Sequence, residues 1–275
     1  MDNNTVSNHY LHGDLLGAIR EAIVKLGKTI DEIAVEDLAP VDEFHIGGRL
    51  ATENLLGQLE FTDQHHVLDV GCGLGGAARF VSDTLNNTVT GIDLTAEYIE
   101  TGKVLCEWVK LETRVTLHQG SALSMPFEDE TFDGGYMLHV GMNIEDKKTL
   151  FSEIFRVLRK GARFGVYDVM RIGEGELAYP VPWAADSSIS HLATPDEYMQ
   201  AMMSAGFEVS QENNRREFAL EFFRKLREKL EASGGPPPLG LHTLMKESTP
   251  VKISNMIDNI RMGYIAPVEI IAVKR

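Results

Sequence analysis

Cysteine and basic residues are scarce in this chain. The 275 residues include only two cysteines, Cys72 and Cys106, so no disulfide framework can form, and we expect a reducing compartment or a protein indifferent to redox state. Lysine and arginine total 26 against 41 aspartates and glutamates, which gives a formal net charge of −15. Because surfaces that bind nucleic acid are usually basic, this excess of acid argues against a nucleic-acid partner.

Long apolar runs and metal-ligand clusters are also absent from the sequence. No run of about 18 apolar residues occurs, so we expect no transmembrane helix and no integral membrane association. The opening residues, MDNNTVSNHY, lack the basic and apolar regions of a secretory signal, and we therefore expect a soluble, cytoplasmic protein. His65 and His66 point to opposite faces of a predicted strand and have no third ligand nearby, so we expect no metal site.

Strand and helix patterns alternate through the middle of the chain. This alternation predicts βαβ units and a mostly parallel α/β sheet that is covered by helices on both faces. The predicted strands are 66–70, 88–92, 114–119, 132–139 and 163–169, and the predicted helices between them are 75–85, 95–109 and 148–158.

The two ends of the chain are predicted to complete a single domain. Residues 1–60 are interpreted as an N-terminal helical cap, with helices at 15–26 and 50–59 and a link through Pro40. Residues 61–275 form the main domain, and an irregular insertion lies around 170–195. The later elements are a helix at 195–205, a strand at 207–213, a helix at 217–231 that ends at a Gly-Pro run, and a strand at 268–273.

The most informative motif is a glycine-rich turn between the first strand and the next helix, VLDVGCGLGG. Gly71, Gly73 and Gly76 fit the spacing GxGxxG, in which the main chain turns tightly and a ligand can approach it. Asp93 ends the next strand, at the distance where a carboxylate accepts hydrogen bonds from ribose hydroxyls. This context predicts a nucleoside ligand; the alternative is a tight turn without a ligand.

The charge next to this loop helps to choose between nucleoside ligands. Asp69 lies two residues before the first glycine, where its carboxylate would repel a pyrophosphate but attract an ammonium or sulfonium group. The 65 residues before the first strand also contrast with many dinucleotide domains, which begin close to that strand. Both observations favour S-adenosylmethionine over NAD.

Several stretches together resemble the class I S-adenosylmethionine-dependent methyltransferases: VLDVGCGLGG, the strand end at Asp93, GSALSMPFEDETFD and VLRKGARF. The resemblance covers about residues 60–210 and is closest to the small-molecule subgroup with ubiquinone/menaquinone C-methyltransferases and sarcosine/dimethylglycine N-methyltransferases. A looser likeness to the sarcosine/dimethylglycine group extends through YLHGDLLGAIR, DEFHIGGR and HVGMNIEDK. The resemblance to the class I enzymes implies a Rossmann-like seven-stranded sheet in the order 3-2-1-4-5-7-6 with the last strand antiparallel. The predicted strand 268–273 fits the place of that last strand.

The resemblance also implies the residues that contact the cofactor, S-adenosyl-L-methionine, and its product, S-adenosyl-L-homocysteine. Gly71, Gly73 and Gly75 would lie under the methionine part, Asp69 would orient that loop and the amino group, and Asp93 would bind the ribose.

Four further residues are predicted to contact the cofactor. Leu94 would pack against the adenine. The family usually has an acidic residue after the third strand, but this chain has Ser121 and Ala122 there, and the neutral Ser121 would hold the adenine amine less strongly. His139, at the end of the fourth strand, would face the sulfonium.

Two residues are candidates for catalysis. His139 has a suitable side chain for a general base towards an acceptor amine or hydroxyl; the alternative is a histidine that packs the strand end. Tyr10 in the cap would present an aromatic face to a cationic acceptor; the alternative is a frayed terminus.

The candidates for acceptor binding are Tyr10, Arg49, Met142, Asn143 and Trp183. Arg49 would clamp a substrate carboxylate, or alternatively pair with Glu53 on the same helix. Met142 and Trp183 would line the acceptor pocket or fill the core.

We therefore predict transfer of a methyl group from S-adenosylmethionine to a small molecule, with an amine nitrogen, as in sarcosine or dimethylglycine, as the favoured acceptor. A tertiary amine has no proton to lose, so a general base is optional. The alternative within this class is O- or C-methylation of a quinone-like or polyketide molecule, and the alternative outside it is a cofactor-binding sensor or partner module. The sequence leaves open whether the protein forms a homodimer.

Overall fold

A single mixed sheet forms the centre of the computed structural model, which describes residue 7 and residues 9–275. Its seven strands lie in the order β3-β2-β1-β4-β5-β7-β6, and β7 runs antiparallel to both neighbours. The predicted fold class is thereby confirmed. The strands are β1 His66–Val70, β2 Thr88–Asp93, β3 Val115–Gln119, β4 Phe132–Leu138, β5 Leu158–Arg171, β6 Phe207–Asn214 and β7 Ile265–Lys274.

Helices cover both faces of the sheet and one of its ends. The described α-helices are α1 Leu15–Lys25, α2 Val35–Asp42, α3 Gly48–Leu56, α4 Gly76–Leu85, α5 Ala96–Trp108, α6 Lys147–Val157, α7 Pro195–Ala205, α8 Arg216–Ser233, α9 Leu241–Met245 and α10 Thr249–Arg261. Short 3-10 turns lie at Ile30–Glu32, Gly141–Asn143, Ser187–Ile189 and Lys246–Ser248. None of the described helices is long and apolar enough to cross a membrane.

The alternation of side chains along the parallel strands divides the core into two layers. In β1, Leu68 and Val70 pack into the layer that also contains residues of α6 and α7, whereas Val67 packs into the layer formed with α3, α4 and α5. A third cluster joins the segment around Trp183 to α8 and α10, and a fourth joins α1 and α2 to α5. These last two clusters place additional elements above the carboxyl ends of the strands.

The predicted link through Pro40 is wrong, because this residue lies inside helix α2. A proline there removes one main-chain hydrogen bond. The helix nevertheless forms, since Leu38 and Val41 are fully buried and Asp37 accepts a hydrogen bond from the amide of Ala34 at the helix start. Helices α9 and α10 were not predicted at all. The predicted break after the charged helix is confirmed, with α8 ending at Ser233.

The division into a cap, a main domain and an insertion stays a prediction. Within the predicted insertion the structure has the turn Ser187–Ile189 and an isolated bridge between Val181 and Ala184. Within the opening segment MDNNTVSNHY, residues 1–6 and 8 lie outside the described residues.

Candidate cofactor and acceptor site

A cavity of about 1420 Å³ opens at the carboxyl ends of β1, β2 and β4. One end is formed by the glycine-rich turn, and the other by α8 and α10. The sequence-predicted site residues on its wall are Tyr10, Arg49, Asp69, Gly71, Gly73, Asp93, Leu94, Ser121, Ala122, His139, Met142, Asn143 and Trp183. Gly75 lies below this wall, with its α-carbon facing Leu117 of β3. The structure thus brings these residues together, while their individual roles stay predictions.

The glycine-rich turn has a main-chain path that other residues could hardly follow. Gly71 has φ +71°, and a β-carbon there would lie 2.2 Å from a methyl carbon of Val140. Gly73 also has positive φ, but a β-carbon there would meet nothing closer than 3.9 Å, so its main chain faces open space in the cavity. The first glycine therefore permits close packing, and the second leaves room for a ligand.

Asp93 joins the end of β2 to this turn. Its Oδ2 accepts a hydrogen bond from the amide of Gly73 at 3.0 Å, and its Oδ1 accepts one from the amide of Thr95 at 2.8 Å. Burial raises the pKa of Asp93, and these main-chain hydrogen bonds oppose that rise. The carboxyl group is thus held at a fixed place beside the turn.

Asp69 lies in β1 directly beneath the cavity and is 2% exposed. Burial raises the pKa of its carboxyl to about 7, against the effect of the Tyr136 hydroxyl, which donates a hydrogen bond at 3.1 Å. Asp93 and Glu43 raise the pKa further. A carboxyl group that ionises near neutral pH is well suited to attract a cationic ligand.

His139 follows β4 and has both ring nitrogens next to main-chain groups. Its Nδ1 lies 3.2 Å from the carbonyl oxygen of Tyr167, and its Nε2 accepts from the amide of Ile46 at 3.3 Å. Burial, with a smaller effect of His45, lowers the pKa of His139 to about 3. The ring is therefore neutral, and the lone pair that a general base needs faces Ile46. This geometry favours the strand-end packing alternative.

Tyr10, Asn143 and Trp183 lie next to each other on one side of the cavity. The Tyr10 hydroxyl donates to Asn143 Oδ1 at 2.8 Å, and Asn143 Nδ2 donates to the carbonyl oxygen of Trp183 at 2.8 Å. Trp183 is 1% exposed, and its indole N–H donates to Ser190 Oγ. Met142, 4% exposed, packs in the same cluster.

Arg49 forms an ion pair with Glu43, whereas the sequence suggested Glu53 as the alternative partner. Its guanidinium carbon also lies 3.9 Å from the ring centroid of Phe80. Burial raises the pKa of Glu43 to about 7, although Arg49 and the hydroxyl of Thr52 lower it. A substrate carboxylate would therefore compete with Glu43 for this guanidinium.

Two charged or polar residues of the site were missed in the sequence. Glu43 follows another acid, Asp42, and this pair of acids was the only local signal. Tyr136 is the register partner of Asp69 in the neighbouring strand, and this pairing is visible only once the strands are aligned. Among the described residues, no group of three or more histidine, cysteine or acidic side chains is placed to hold a metal ion.

The stretch 68–166 matches the family model of a methyltransferase domain. Residues 68–166 form a methyltransferase domain. Curated relatives include methyltransferase phqN of Penicillium fellutanum, 29% identical over 161 residues, which are 56% of this chain and 49% of the relative. An O-methyltransferase of Pyrenophora dematioidea is 26% identical over 199 residues, 72% of this chain and 73% of the relative. The chain spans about half the length of phqN and of several other curated relatives.

Solved structures share the fold of this methyltransferase domain and of the elements around it. A putative sarcosine dimethylglycine methyltransferase from Galdieria sulphuraria has a TM-score of 0.66 at 18% identity and covers 94% of this chain and 98% of its own. The [4+2]-cyclase SpnF has a TM-score of 0.67 at 19% identity, with 93% and 94% covered. These likenesses establish the fold, and the predicted Rossmann-like sheet is confirmed.

Proposed function

We propose that the protein transfers the methyl group of S-adenosylmethionine to a small molecule and releases S-adenosylhomocysteine. The observation that carries the proposal is the placement of Asp69, Gly73 and Asp93 around one end of a single cavity within the methyltransferase domain. Gly73 leaves its main chain open to a ligand, Asp93 is fixed where a ribose could be bound, and Asp69 offers a charge opposite to that of the cofactor.

The cofactor is bound under this proposal by the glycine-rich turn and the two carboxyl groups. It supplies a methyl group on a cationic sulfur, which is a good leaving group. The chain has then to align the acceptor with this methyl group and exclude water from the reaction. Leu94, Ser121 and Ala122 line the cavity beyond the end of β2, where the resemblance places the adenine.

We further propose that the acceptor is larger and more apolar than sarcosine or dimethylglycine. The cavity of about 1420 Å³ exceeds the roughly 300–1,000 Å³ of a common single-ligand pocket, so it has room for the cofactor and a sizeable acceptor. Its far end is lined by apolar side chains such as Phe222, Leu226 and Ile253. The guanidinium that a glycine derivative would need, on Arg49, is paired with Glu43.

An amine nitrogen on such an apolar molecule is the acceptor that we favour. An unprotonated amine attacks through its own lone pair, so it does not need the base that the engaged ring of His139 fails to provide. Methylation of carbon is the second candidate. It is supported by the apolar far end of the cavity and by relatives such as sterol 24-C-methyltransferase erg6 of Aspergillus fumigatus, 29% identical over 161 residues.

A panel of acceptors with labelled cofactor tests the proposal. Sarcosine, dimethylglycine, apolar amines, phenols and apolar alkenes are compared by the release of S-adenosylhomocysteine and by the position of the label in the product. We expect apolar amines to exceed the two glycine derivatives. Labelled alkenes alone would favour carbon methylation, whereas cofactor binding without any product would favour the sensor alternative.

Two variants connect this test to the site. Asp93→Ala should weaken cofactor binding in isothermal titration, because it removes the carboxyl group beside the turn. Asp83→Ala is the matched control, since this acid is exposed on α4 and is absent from the cavity wall. Unchanged affinity in Asp93→Ala would contradict the assignment of the cofactor site.

A further inference from the structure

We infer that Asn143 is a positioning residue that clasps two walls of the cavity together, and that it does not bind the acceptor directly. Its side chain is 8% exposed. Its Oδ1 accepts a hydrogen bond from the Tyr10 hydroxyl at 2.8 Å, and its Nδ2 donates to the carbonyl oxygens of Trp183 at 2.8 Å and Ile189 at 3.2 Å. Both amide protons are therefore used within the protein.

The clasp joins segments that are far apart in the chain. Tyr10 precedes Asn143 by 133 residues, and Trp183 follows it by 40. Both Tyr10 and Trp183 line the cavity. A second contact lies beside the clasp, because the ring Nε2 of His9 is 3.1 Å from the carbonyl oxygen of Pro182. The N-terminal stretch and the segment around Trp183 thus close one side of the cavity together.

The position of Asn143 is itself fixed by the turn that carries it. A β-carbon on Gly141 would lie 2.5 Å from both Asp168 Oδ2 and the Tyr198 hydroxyl, so this turn sits directly on that buried pair. The Tyr198 hydroxyl donates to Asp168 at 2.7 Å. The carbonyl oxygen of Met142 also accepts from the amide of His191 at 2.7 Å, which ties the later segment to the same turn.

A clasp with these connections couples the two walls. If the hydrogen bond from Tyr10 is lost, the acceptor atom of Asn143 loses its protein partner, and the contacts of the amide with the Trp183 segment are weakened as well. Under the proposed function, on which this consequence rests, the closed walls would exclude water and hold the acceptor against the methyl group. We expect the clasp to affect turnover more than the binding of the cofactor.

Tryptophan fluorescence provides a test that does not depend on activity. The sequence contains two tryptophans, so Trp108→Phe leaves Trp183 as the only reporter. In that background Asn143→Asp keeps the side-chain shape but places a carboxylate opposite two carbonyl oxygens. We expect acrylamide to quench Trp183 several times more strongly. Tyr10→Phe should shift the quenching in the same direction, through the amide of Asn143.

Kinetics then separate positioning from general loss of structure. With the best acceptor of the panel, Asn143→Asp should lower kcat about tenfold, as expected for a buried donor that loses its partner, and change the KM for the cofactor by less than about twofold. The matched control is Asn87→Asp. Asn87 is fully buried and donates to the carbonyl oxygens of Thr62 and His65 near the other ends of the strands, so its loss should lower stability without affecting Trp183 or kcat.

Unchanged quenching in folded Asn143→Asp, or equal quenching in Asn87→Asp, would overturn the inference. If Asn143→Asp does not fold, Tyr10→Phe and His9→Ala decide the outcome by the same fluorescence measurement, and unchanged quenching in both would overturn it. Failure of the wild-type protein to bind the cofactor would contradict the proposed function alone, because the quenching experiment reports the clasp without any cofactor.

Discussion

Three buried carboxyl groups, two on the cavity wall and one packed against the Gly141 turn, have pKa values raised towards neutral pH. The pKa values are about 7 for Asp69, about 7 for Glu43 and about 6 for Asp168, and burial is the largest cause in each case. A buried carboxylate is costly unless it is paired, and these pKa values stay raised although each group already has a hydrogen-bond or ion-pair partner. A cationic ligand in the cavity would therefore favour the ionised forms of Asp69 and Glu43.

Replacement of Asp69 by asparagine should stabilise the protein at pH 8 and have a smaller effect at pH 5. An unfolded aspartate titrates near pH ~3.9, whereas the folded group titrates at about 7. Between these values the folded state binds the extra proton, so wild-type stability falls as the pH rises through this range. Asparagine does not ionise, so the variant does not lose stability in this way. The measurement is the urea midpoint at both pH values, with the exposed Asp83→Asn as control, and an equal midpoint of wild type and Asp69→Asn at pH 8 would contradict the prediction.

Replacement of His139 by glutamine should preserve the shape of the pH–rate profile between pH 6 and 8. The pKa of His139 is lowered to about 3, so its ring does not change charge in this range. Glutamine can also donate to the Tyr167 carbonyl and accept from Ile46. We expect kcat to fall less than about tenfold, whereas loss of a general base typically costs about 10²–10⁴-fold. A fall of that larger size, or a limb of the profile that disappears in the variant, would identify His139 as a base.

At the scale of elements, the turn after β1 allows a comparison between two glycines of similar φ. Gly71 has φ +71° and Gly161 has φ +84°, but a β-carbon meets Val140 at the first position and nothing within 4 Å at the second. Gly161→Ala should lower the free energy of unfolding only by the cost of the left-handed conformation for alanine, about 1–2 kcal/mol. Gly71→Ala should cost about 1–3 kcal/mol more through overpacking and should weaken cofactor binding. Urea unfolding of both variants is the measurement, and equal losses of stability would refute the role of the Val140 contact.

A buried ion pair connects α2 to α4 directly below the cavity. Arg79 is fully buried and pairs with Asp42, while its Nη1 also donates to the carbonyl oxygen of Leu74 at 2.7 Å. Asp42→Asn leaves the guanidinium without a counter-charge and should destabilise the protein by about 3–5 kcal/mol. The exposed pair of Arg224 with Glu221 is the control, because water screens this pair and Glu221→Gln should change the stability far less than Asp42→Asn does. Similar unfolding midpoints for the two variants would show that burial does not determine how much an ion pair contributes to stability here.

The sequence allowed the strands to be predicted more reliably than the capping helices. The strand at 66–70, for example, is a short and mostly apolar run whose last four residues are all buried, and that pattern is local. Helix α2 was missed because Pro40 disfavours a helix locally, while the burial of Leu38 and Val41 depends on elements that are remote in the chain. Helix α9 has five residues and depends in the same way on packing, with Met245 buried.

For the molecule as a whole, the sequence revealed the cofactor end of the cavity better than the acceptor end. Gly71, Gly73 and Asp93 belong to a local motif with a fixed spacing, and all three were predicted to lie at the site. The contacts of Asn143 were not predictable, since they depend on how segments 133 and 40 residues away fold over the sheet. The ion pair of Arg49 with Glu43 was not predictable either, because Glu43 becomes buried next to Arg49 only in the folded chain.

The identity of the nucleoside ligand should be visible in the thermal stability of the whole molecule. S-adenosylhomocysteine at about 100 times its Kd should stabilise the folded state by about 2.7 kcal/mol, which is a rise in Tm of about 5–10 °C for a protein of this size. NADH should have no such effect, because its pyrophosphate would meet the carboxyl groups of Asp69 and Asp93. Thermal unfolding with each ligand measures this, and Asp93→Ala should reduce the rise while Asp83→Ala retains it. A larger rise with NADH than with S-adenosylhomocysteine would contradict the proposed cofactor, since a dinucleotide would then fit the glycine-rich turn better than the demethylated cofactor does.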